Sequence, residues 1–146
     1  MLFRGTPAQP EFRGVNEISP DDWDRWNADR DRSLLTSQSY TYVSPDIYGA
    51  EDLDAYGTWL YTPTYSWVWN PRVEPGWAPY RLGRWTWMDW YGWSWVSSDP
   101  WGWAPYHYGR WFYDAHHGWC WYPGSRGARH SWAPAHVAFF GFNGTP

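Results

Sequence analysis

Gly-Trp-Ala-Pro-Tyr-Arg-Leu-Gly-Arg-Trp at residues 76–85 returns, with two changes, as Gly-Trp-Ala-Pro-Tyr-His-Tyr-Gly-Arg-Trp at residues 102–111. The two stretches begin 26 residues apart, and the same interval relates further glycine and aromatic positions. These positions are Gly57, Gly83 and Gly109; Trp59, Trp85 and Trp111; Tyr61, Trp87 and Tyr113; Trp67, Trp93 and Trp119; and Trp69, Trp95 and Trp121. A constant interval of this kind predicts an internal structural repeat.

Each predicted unit reads Gly-x-Trp-x-aromatic, then a short connection, then Trp-x-Trp. Alternation with a period of two is typical of β-strands, and the connections at 62–64, 89–92 and 115–118 have the composition of turns. The sequence therefore predicts a mainly β fold with three repeated antiparallel β-hairpins of about 26 residues each, over residues 56–123. Because a single hairpin is marginal in water, the hairpins must pack together, either as a small barrel or as a short solenoid.

The segments outside the hairpins predict one N-terminal α-helix and two additional strands. Ser19-Pro20-Asp21-Asp22 has the composition of a helix start, so we predict a helix over 20–33, followed by a strand over 37–44. The predicted organisation is an irregular arm at 1–18, a helix-plus-strand lead-in at 19–48, and a Trp-rich hairpin domain at 49–142. An apolar run at 135–142 is expected to add a closing strand.

Composition limits the partners. The net charge of -4 gives no reason to expect nucleic acid, and no apolar stretch approaches the ~20 residues of a membrane span. The chain has 17 Trp and 12 Tyr but only 20 Leu, Ile, Val and Phe together, so aromatic rings must supply most of the core. All 11 basic residues are Arg, which predicts guanidinium groups stacked on aromatic rings. The N-terminus lacks the apolar core of a signal peptide, which leaves a cytoplasmic chain or part of a longer precursor.

The sequence contains no pattern that predicts catalysis, a cofactor or a metal site. His116, His117 and Cys120 have metal-binding chemistry, but adjacent turn histidines rarely ligate one ion, and the lone cysteine is expected to be buried. Glu51, Asp52 and Asp54 lack the spacing of a calcium loop and are expected to form a solvated acidic turn. There is no nucleophile elbow or phosphate-binding loop, and we therefore expect that the protein is not an enzyme.

The predicted binding surface consists of aromatic and basic residues in matching positions of the two quoted stretches. Aromatic faces flanked by Arg suit sugar rings, and they also suit quaternary amines. The alternative is that these residues pack between hairpins, with Arg84 and Arg110 stacked on the Trp of the next hairpin. The candidate residues are Trp77, Tyr80, Arg81, Arg84, Trp103, Tyr106, His107 and Arg110.

The quoted stretches, together with Tyr91-Gly-Trp-Ser-Trp-Val96 and Trp119-Cys-Trp-Tyr-Pro-Gly124, resemble a bacterial family of unknown function over about residues 22–142. In that family, the Trp/Tyr-rich region commonly follows a FecR-like sensor domain in exported proteins. The resemblance implies an extracytoplasmic location as part of a longer exported precursor. It implies no catalytic residues. A looser similarity, of architecture only, is to the short aromatic hairpins of choline-binding and glucan-binding repeats.

Two functions follow as hypotheses. The first is a non-catalytic structural module of the envelope or extracellular space, which associates through aromatic surfaces with itself or with another envelope protein. The second is a carbohydrate-binding module for cell-wall or exopolysaccharide glycans. Large exposed aromatic patches are typical of both kinds of surface.

Overall fold

A computed structural model describes residues 19–137 in full and the backbone of residues 2–6 and 9–13. The chain divides into two compact units, residues 1–35 and 36–146. In the first unit, β1 (Leu2–Thr6) and β2 (Gln9–Arg13) form an antiparallel pair where an irregular arm was expected. The register sets Phe3 opposite Phe12 and Arg4 opposite Glu11.

The predicted N-terminal helix is confirmed, with shifted ends. Helix α1 covers Asp22–Thr36 rather than 20–33. It begins with reciprocal hydrogen bonds, because the Asp24 backbone N–H donates to Asp21 Oδ1 (2.9 Å) and the Asp21 N–H donates to Asp24 Oδ2 (3.1 Å). This arrangement satisfies two of the backbone donors that a helix start leaves free.

The second unit is mainly β, as predicted. Within its described residues it contains six strands: β3 (Gly57–Thr62), β4 (Ser66–Pro71), β5 (Gly83–Met88), β6 (Gly92–Ser97), β7 (Arg110–Asp114) and β8 (Gly118–Tyr122). Helices α2 (Leu53–Tyr56) and α3 (Ala104–His107) are single turns. Strands adjacent in the chain pair antiparallel as β3–β4, β5–β6 and β7–β8, each across three intervening residues.

The strands form two open sheets, and the described residues do not close into a barrel. One sheet has the order β3-β4-β8-β7, and β5–β6 stands as a separate two-stranded sheet. In the larger sheet, Trp59 lies opposite Trp69, Trp69 opposite Trp121, and Trp121 opposite Trp111. Residues paired in this way share a face, so four tryptophans form one row across four strands.

The row of tryptophans explains the glycines that recur 26 residues apart. A β-carbon at Gly57 would lie 2.3 Å from the Trp69 indole, and one at Gly109 would lie 2.8 Å from the Trp121 indole nitrogen. In β5–β6, a β-carbon at Gly83 would lie 2.6 Å from the Trp95 ring. Each glycine therefore leaves room for an indole from the neighbouring strand, which is why the glycine and the second Trp recur together.

The core lies where the row of tryptophans meets the segment before β3. Trp69 and Trp121 are buried against Val43, Ile47 and Leu53. Their indole N–H groups are satisfied by backbone carbonyls: Trp69 Nε1 donates to Leu53 O at 3.1 Å, and Trp121 Nε1 donates to the carbonyl of Tyr108 at 2.8 Å. Buried indoles with paired N–H groups supply the apolar area that the aliphatic residues lack.

The strand predicted over residues 37–44 is wrong. Ser39–Thr41 forms a 3-10 turn instead. The Ser39 hydroxyl donates to the Asp54 carboxylate and accepts a hydrogen bond from Trp59 Nε1 (3.0 Å). Serine side chains that bond in this way compete with a strand ladder, which propensity alone does not reveal. The predicted closing strand at 135–142 is not seen at 135–137, and its other residues lie outside the described part of the chain.

The junction of β4 and β8 depends on Asn70. Its Nδ2 donates to the carbonyls of His117 (2.8 Å) and Trp119 (3.0 Å). We expect Asn70→Ala to lower the free energy of unfolding by about 1–3 kcal/mol, because the carbonyls lose their donor at a partly buried site. Urea unfolding followed by tryptophan fluorescence measures this. Thr58→Ala, at the exposed position opposite Asn70, is the matched control. Equal losses in both variants would contradict the role of Asn70.

Candidate functional site: aromatic side chains exposed at strand ends

The structure separates the eight predicted binding residues, and two of them belong to the interior. Tyr106 is fully buried, and its hydroxyl donates to Asp99 Oδ2 at 2.7 Å. Burial and the Asp99 carboxylate both raise the pKa of Tyr106 well above its usual range, so the phenol stays protonated as a donor. A buried donor of this kind holds the loop before α3 in place and is not accessible to a ligand.

His107 is also part of the fold. Its ring stacks on Trp132 with centroids 5.4 Å apart, and Nδ1 donates to the carbonyl of Ala133 at 2.8 Å. The Ala133 backbone N–H in turn donates to the carbonyl of His107 at 3.0 Å. Burial lowers the pKa of His107, because a charged imidazolium is poorly solvated there. His107 therefore anchors the segment around Trp132.

Because the pKa of His107 is lowered in the folded state, the protein should lose stability in mild acid. An unfolded histidine takes up a proton near pH 6.5, whereas folded His107 does so only at lower pH. Between these two values the unfolded state binds more protons, so stability falls as the pH falls, by at most about 1.4 kcal/mol per pH unit. We expect the melting temperature of His107→Gln to fall less than that of the wild-type protein between pH 7.5 and 5. His116→Gln, at an exposed position, should follow the wild-type profile. Identical profiles for the wild type and both variants would contradict the assignment to His107.

Trp77 and Tyr80 are half-buried and pack between structural elements. The Tyr80 ring is parallel to Trp85 at 6.4 Å, and its hydroxyl accepts a hydrogen bond from the His136 backbone N–H at 3.2 Å. Burial raises the pKa of Tyr80 to about 12. Trp77 contacts Trp101 and Trp111 at 6.1 and 5.4 Å between ring centroids. Both residues thus follow the alternative in which aromatic rings pack between hairpins.

The remaining predicted residues, Arg81, Arg84, Trp103 and Arg110, are exposed. Arg110 stacks over Tyr65 and Tyr122 at 5.4 and 5.3 Å, so the expectation that it stacks on a tryptophan is wrong. Tyrosine faces also attract a guanidinium, and these two rings are the ones within reach. Arg84 is exposed opposite Val96 in the β5–β6 pair. The two other exposed residues are Arg81 and Trp103.

Of the exposed aromatic side chains in the second unit, the sequence predicted Trp103 as a binding residue but none of those at the strand ends. At the end of each strand pair nearest its turn, two rings meet edge to face across the strands. The pairs are Tyr61–Trp67, Trp87–Trp93 and Tyr113–Trp119, with centroids 5.6 or 5.7 Å apart. A signal was present, because these positions lie outermost in Gly-x-Trp-x-aromatic and in Trp-x-Trp. Spacing alone does not tell which end of a hairpin the core covers.

The turn of β5–β6 carries the largest exposed group, which we call the β5–β6 tip and define as Trp87, Met88, Trp90, Tyr91 and Trp93. Trp87 and Trp93 are 60% and 61% exposed, and Trp90 is 100% exposed. Tyr91 keeps one contact with the fold, edge to face on Trp132 at 4.9 Å. Exposed aromatic patches of this kind are typical of interaction surfaces.

Trp90 adopts a backbone conformation that does not suit it. The Tyr91 N–H donates to the Met88 carbonyl (3.2 Å), so Trp90 is the third residue of a β-turn, and its φ is +75°. Glycine or asparagine is favoured at this turn position when φ is positive. A bulky residue there costs on the order of 1 kcal/mol. Because the ring is fully exposed, no packing against the fold offsets this cost. Strain combined with complete exposure points to a role outside folding.

A second feature is a groove of about 750 Å³, lined by residues 70–78 and 117–119 with Tyr113 and Arg81. Its aromatic lining comes from Trp77, Tyr113 and Trp119, and its volume is in the range of small-molecule sites. Two arginines, Arg72 and Arg81, and one acid, Glu74, supply its charge. Two of the predicted residues, Trp77 and Arg81, therefore line the same groove, whereas its other lining residues are not among the predicted ones.

The polar clusters considered for metal binding have other partners in the structure. His117 Nδ1 and Asp114 Oδ1 are 2.9 Å apart, and Asp114 also accepts from two backbone N–H groups of its turn. These bonds lower the pKa of Asp114. Cys120 is buried on the opposite side of β8 from its neighbours Trp119 and Trp121. The residues that the structure describes contain no cluster of three or more His, Cys, Asp or Glu arranged for a metal ion.

The acidic group before β3 is only partly the solvated turn that was expected, because Glu51 belongs to the interior whereas Asp54 is exposed. Glu51 is buried and accepts a hydrogen bond from the Tyr40 hydroxyl at 2.8 Å. Asp54 accepts from the Gln38 backbone N–H at 2.8 Å. Both carboxylates hold the 38–40 segment against α2, because that segment has backbone and hydroxyl donors that need acceptors.

Fold and site together define a Trp-rich, mainly β domain that exposes aromatic side chains at strand ends. The chain belongs to DUF6600, a family of unknown function, which matches residues 50–145. None of the curated proteins and none of the solved structures compared with it matches the chain. In the part of the chain that the structure describes, no helix has the length and apolar character needed to cross a lipid bilayer.

Proposed function

We propose that this chain is a non-catalytic assembly module of the bacterial envelope or extracellular space. It associates through exposed aromatic side chains with further copies of itself or with another envelope protein. In this proposal the three strand pairs are copies of one unit, and the extracytoplasmic location follows from the family resemblance described above. The chain is taken as part of a longer exported precursor.

One observation carries the proposal: Trp90 is fully exposed in a strained turn, next to two other tryptophans that are more than half exposed. Tryptophan is enriched among the residues that contribute most to protein–protein binding. Other strand tryptophans, such as Trp95 and Trp121, are buried and pack inside the fold. The exposed rings of the β5–β6 tip, by contrast, contribute little to the packing of the core.

Size-exclusion chromatography with light scattering on residues 1–146 tests the proposal, from about 1 µM to 1 mM. This range covers the affinities of weak specific contacts. We expect the mean mass to rise with concentration. Two results together would contradict the proposal. The first is a mass that stays at 17.4 kDa over the whole range, and the second is that the β5–β6 tip captures no partner from envelope extracts.

A carbohydrate-binding module is the second candidate, and the groove favours it. Trp77, Tyr113 and Trp119 contribute aromatic lining, and Arg81 contributes hydrogen-bond donors beside it. Isothermal titration with cell-wall glycan fragments and soluble exopolysaccharides tests this function. We expect binding that Arg81→Ala weakens and that Arg84→Ala, at an exposed position outside the groove, leaves unchanged. Absence of heat with every glycan removes this candidate.

A further inference from the structure

We propose that the β5–β6 tip of one copy binds in the groove of a second copy, in a head-to-tail contact. This inference rests on the proposed self-association and specifies its geometry. Trp90 is the central side chain of the contact, and residues 70–78 and 117–119 receive it. The tip and the groove are different surfaces, since no tip residue is among those that line the groove.

Shape is the first argument. The tip is convex, because it is the turn of a two-stranded sheet with a fully exposed indole at its end. Two convex tips cannot bury each other's central ring well, whereas a groove of about 750 Å³ has room for an indole and its neighbours. Aromatic side chains inserted into a pocket of the partner are the usual centre of a specific interface.

Charge is the second argument. Asp89 is exposed in the turn beside Trp90 and is the one acidic residue among residues 87–93. The groove is lined by Arg72, Arg81 and Glu74, which leaves an excess of one positive charge. Opposite charges therefore meet when the tip enters the groove, and like charges meet when two tips or two grooves approach each other.

The exposed area sets the strength of a single contact. The aromatic rings of the tip offer roughly 500 Å² to a partner, below the ~800 Å² per partner of a standard interface. One contact is therefore weak. A head-to-tail contact can repeat, because each copy keeps a free tip or a free groove, and it builds rings or open chains. Multiple weak contacts suit a structural assembly better than a single tight dimer.

Two variants separate the surfaces. Trp90→Gly removes the tip side chain at a position where glycine suits the backbone, so the fold should be retained. Arg81→Glu reverses a groove charge at an exposed site whose one hydrogen bond in the described structure, from Nη1 to the Gly76 carbonyl, is long at 3.3 Å. We expect Trp90→Gly to raise the dissociation constant for self-association at least about 30-fold. Asp89→Arg is a second tip variant, and thermal unfolding checks that each protein folds.

Mixing the two variants is the decisive experiment, again read by light scattering on residues 1–146. Trp90→Gly keeps its groove and Arg81→Glu keeps its tip, so a 1:1 mixture should form heterodimers that do not grow further. If the wild-type chain self-associates but the mixture stays monomeric, the head-to-tail contact is wrong while the assembly function stands. A wild-type chain that stays monomeric removes the head-to-tail contact, and it removes the proposed function as well if no envelope protein is captured. Binding of the tip to phosphatidylcholine vesicles without self-association would assign it to a lipid surface and overturn the inference.

Discussion

Trp121→Ala should unfold most of the second unit at temperatures where the wild-type chain is folded. The side chain is fully buried at the centre of the row of four tryptophans, and it pairs β8 with both β4 and β7. Its removal leaves a large cavity and deprives the carbonyl of Tyr108 of its indole donor. We expect a loss of about 3–5 kcal/mol, which is a large fraction of the 5–15 kcal/mol that holds a typical domain folded.

Urea unfolding monitored by circular dichroism measures the loss, and Trp93→Ala is the matched control. Trp93 is also a strand tryptophan in a cross-strand aromatic pair, but it lies at the exposed β5–β6 tip. Its removal should cost about 1 kcal/mol or less, the value of an exposed aromatic pair. If both variants lose the same stability, the division into buried row and exposed tip is wrong.

Gly109→Ala is expected to destabilise the second unit strongly, although it adds only one methyl group. Gly109 has a φ of +61°, and an added β-carbon would lie 2.3 Å from the backbone oxygen of Tyr122 and 2.9 Å from Pro123 Cα. The clash is with backbone on the paired strand, so it cannot be relieved by turning a side chain. We expect a loss of about 3 kcal/mol or more from overlap and backbone strain together.

Gly118→Ala separates the effect of steric overlap from the effect of backbone strain. Gly118 has a similar φ of +74°, but an added β-carbon would meet nothing within 4 Å. This control should lose only the conformational cost, about 1 kcal/mol. Thermal unfolding of the two variants gives the difference directly. A Gly118 variant as unstable as the Gly109 variant would show that backbone conformation alone requires both glycines, and that the close approach to β8 contributes little.

The proposed assembly and the fold depend on different tryptophans, so we expect that each can be changed without the other. Trp69, Trp95 and Trp121 are buried, while Trp87, Trp90 and Trp93 are exposed. Substitutions in the first group should reduce stability and, as a consequence, assembly. Substitutions in the second group should reduce assembly with little change in stability. This difference is how a surface function is distinguished from a general folding defect.

Several features of the fold could be predicted from the sequence because they depend on local periodicity. The alternation around Trp59, Trp85 and Trp111 predicts strands, and the intervals between them predict antiparallel neighbours. The helix was predicted from Ser19-Pro20-Asp21-Asp22, but α1 begins two residues later, where the side chains of Asp21 and Asp24 bond to each other's backbone. A burial prediction for Cys120 is likewise confirmed, since it alternates with two tryptophans on β8.

The candidate site was much harder to predict, because exposure depends on what packs over each residue. Tyr106 and His107 were two of the eight predicted binding residues, yet both are buried, with hydrogen bonds to Asp99 and to the carbonyl of Ala133. The exposed rings at Trp87 and Trp93 occupy the same repeat positions as Tyr61 and Trp67 and were not singled out. Sequence spacing gives the face of a strand, but not how far along the strand the core extends.

The similar stretches at residues 76–85 and 102–111 show most clearly which features follow from the sequence and which follow from tertiary packing. By itself, the sequence determined that glycine and tryptophan recur together and that strands alternate with turns, because these follow from side-chain size and a two-residue period. Only the tertiary structure decided that Ala104–His107 forms a helical turn, whereas the matching residues 78–81 do not and Tyr80 has a φ of +63°. It also decided that β4 joins β8 while β5–β6 stands apart. The tertiary contacts of the two stretches differ as well, since the Tyr106 hydroxyl donates to buried Asp99, whereas the Tyr80 hydroxyl accepts from the backbone N–H of His136.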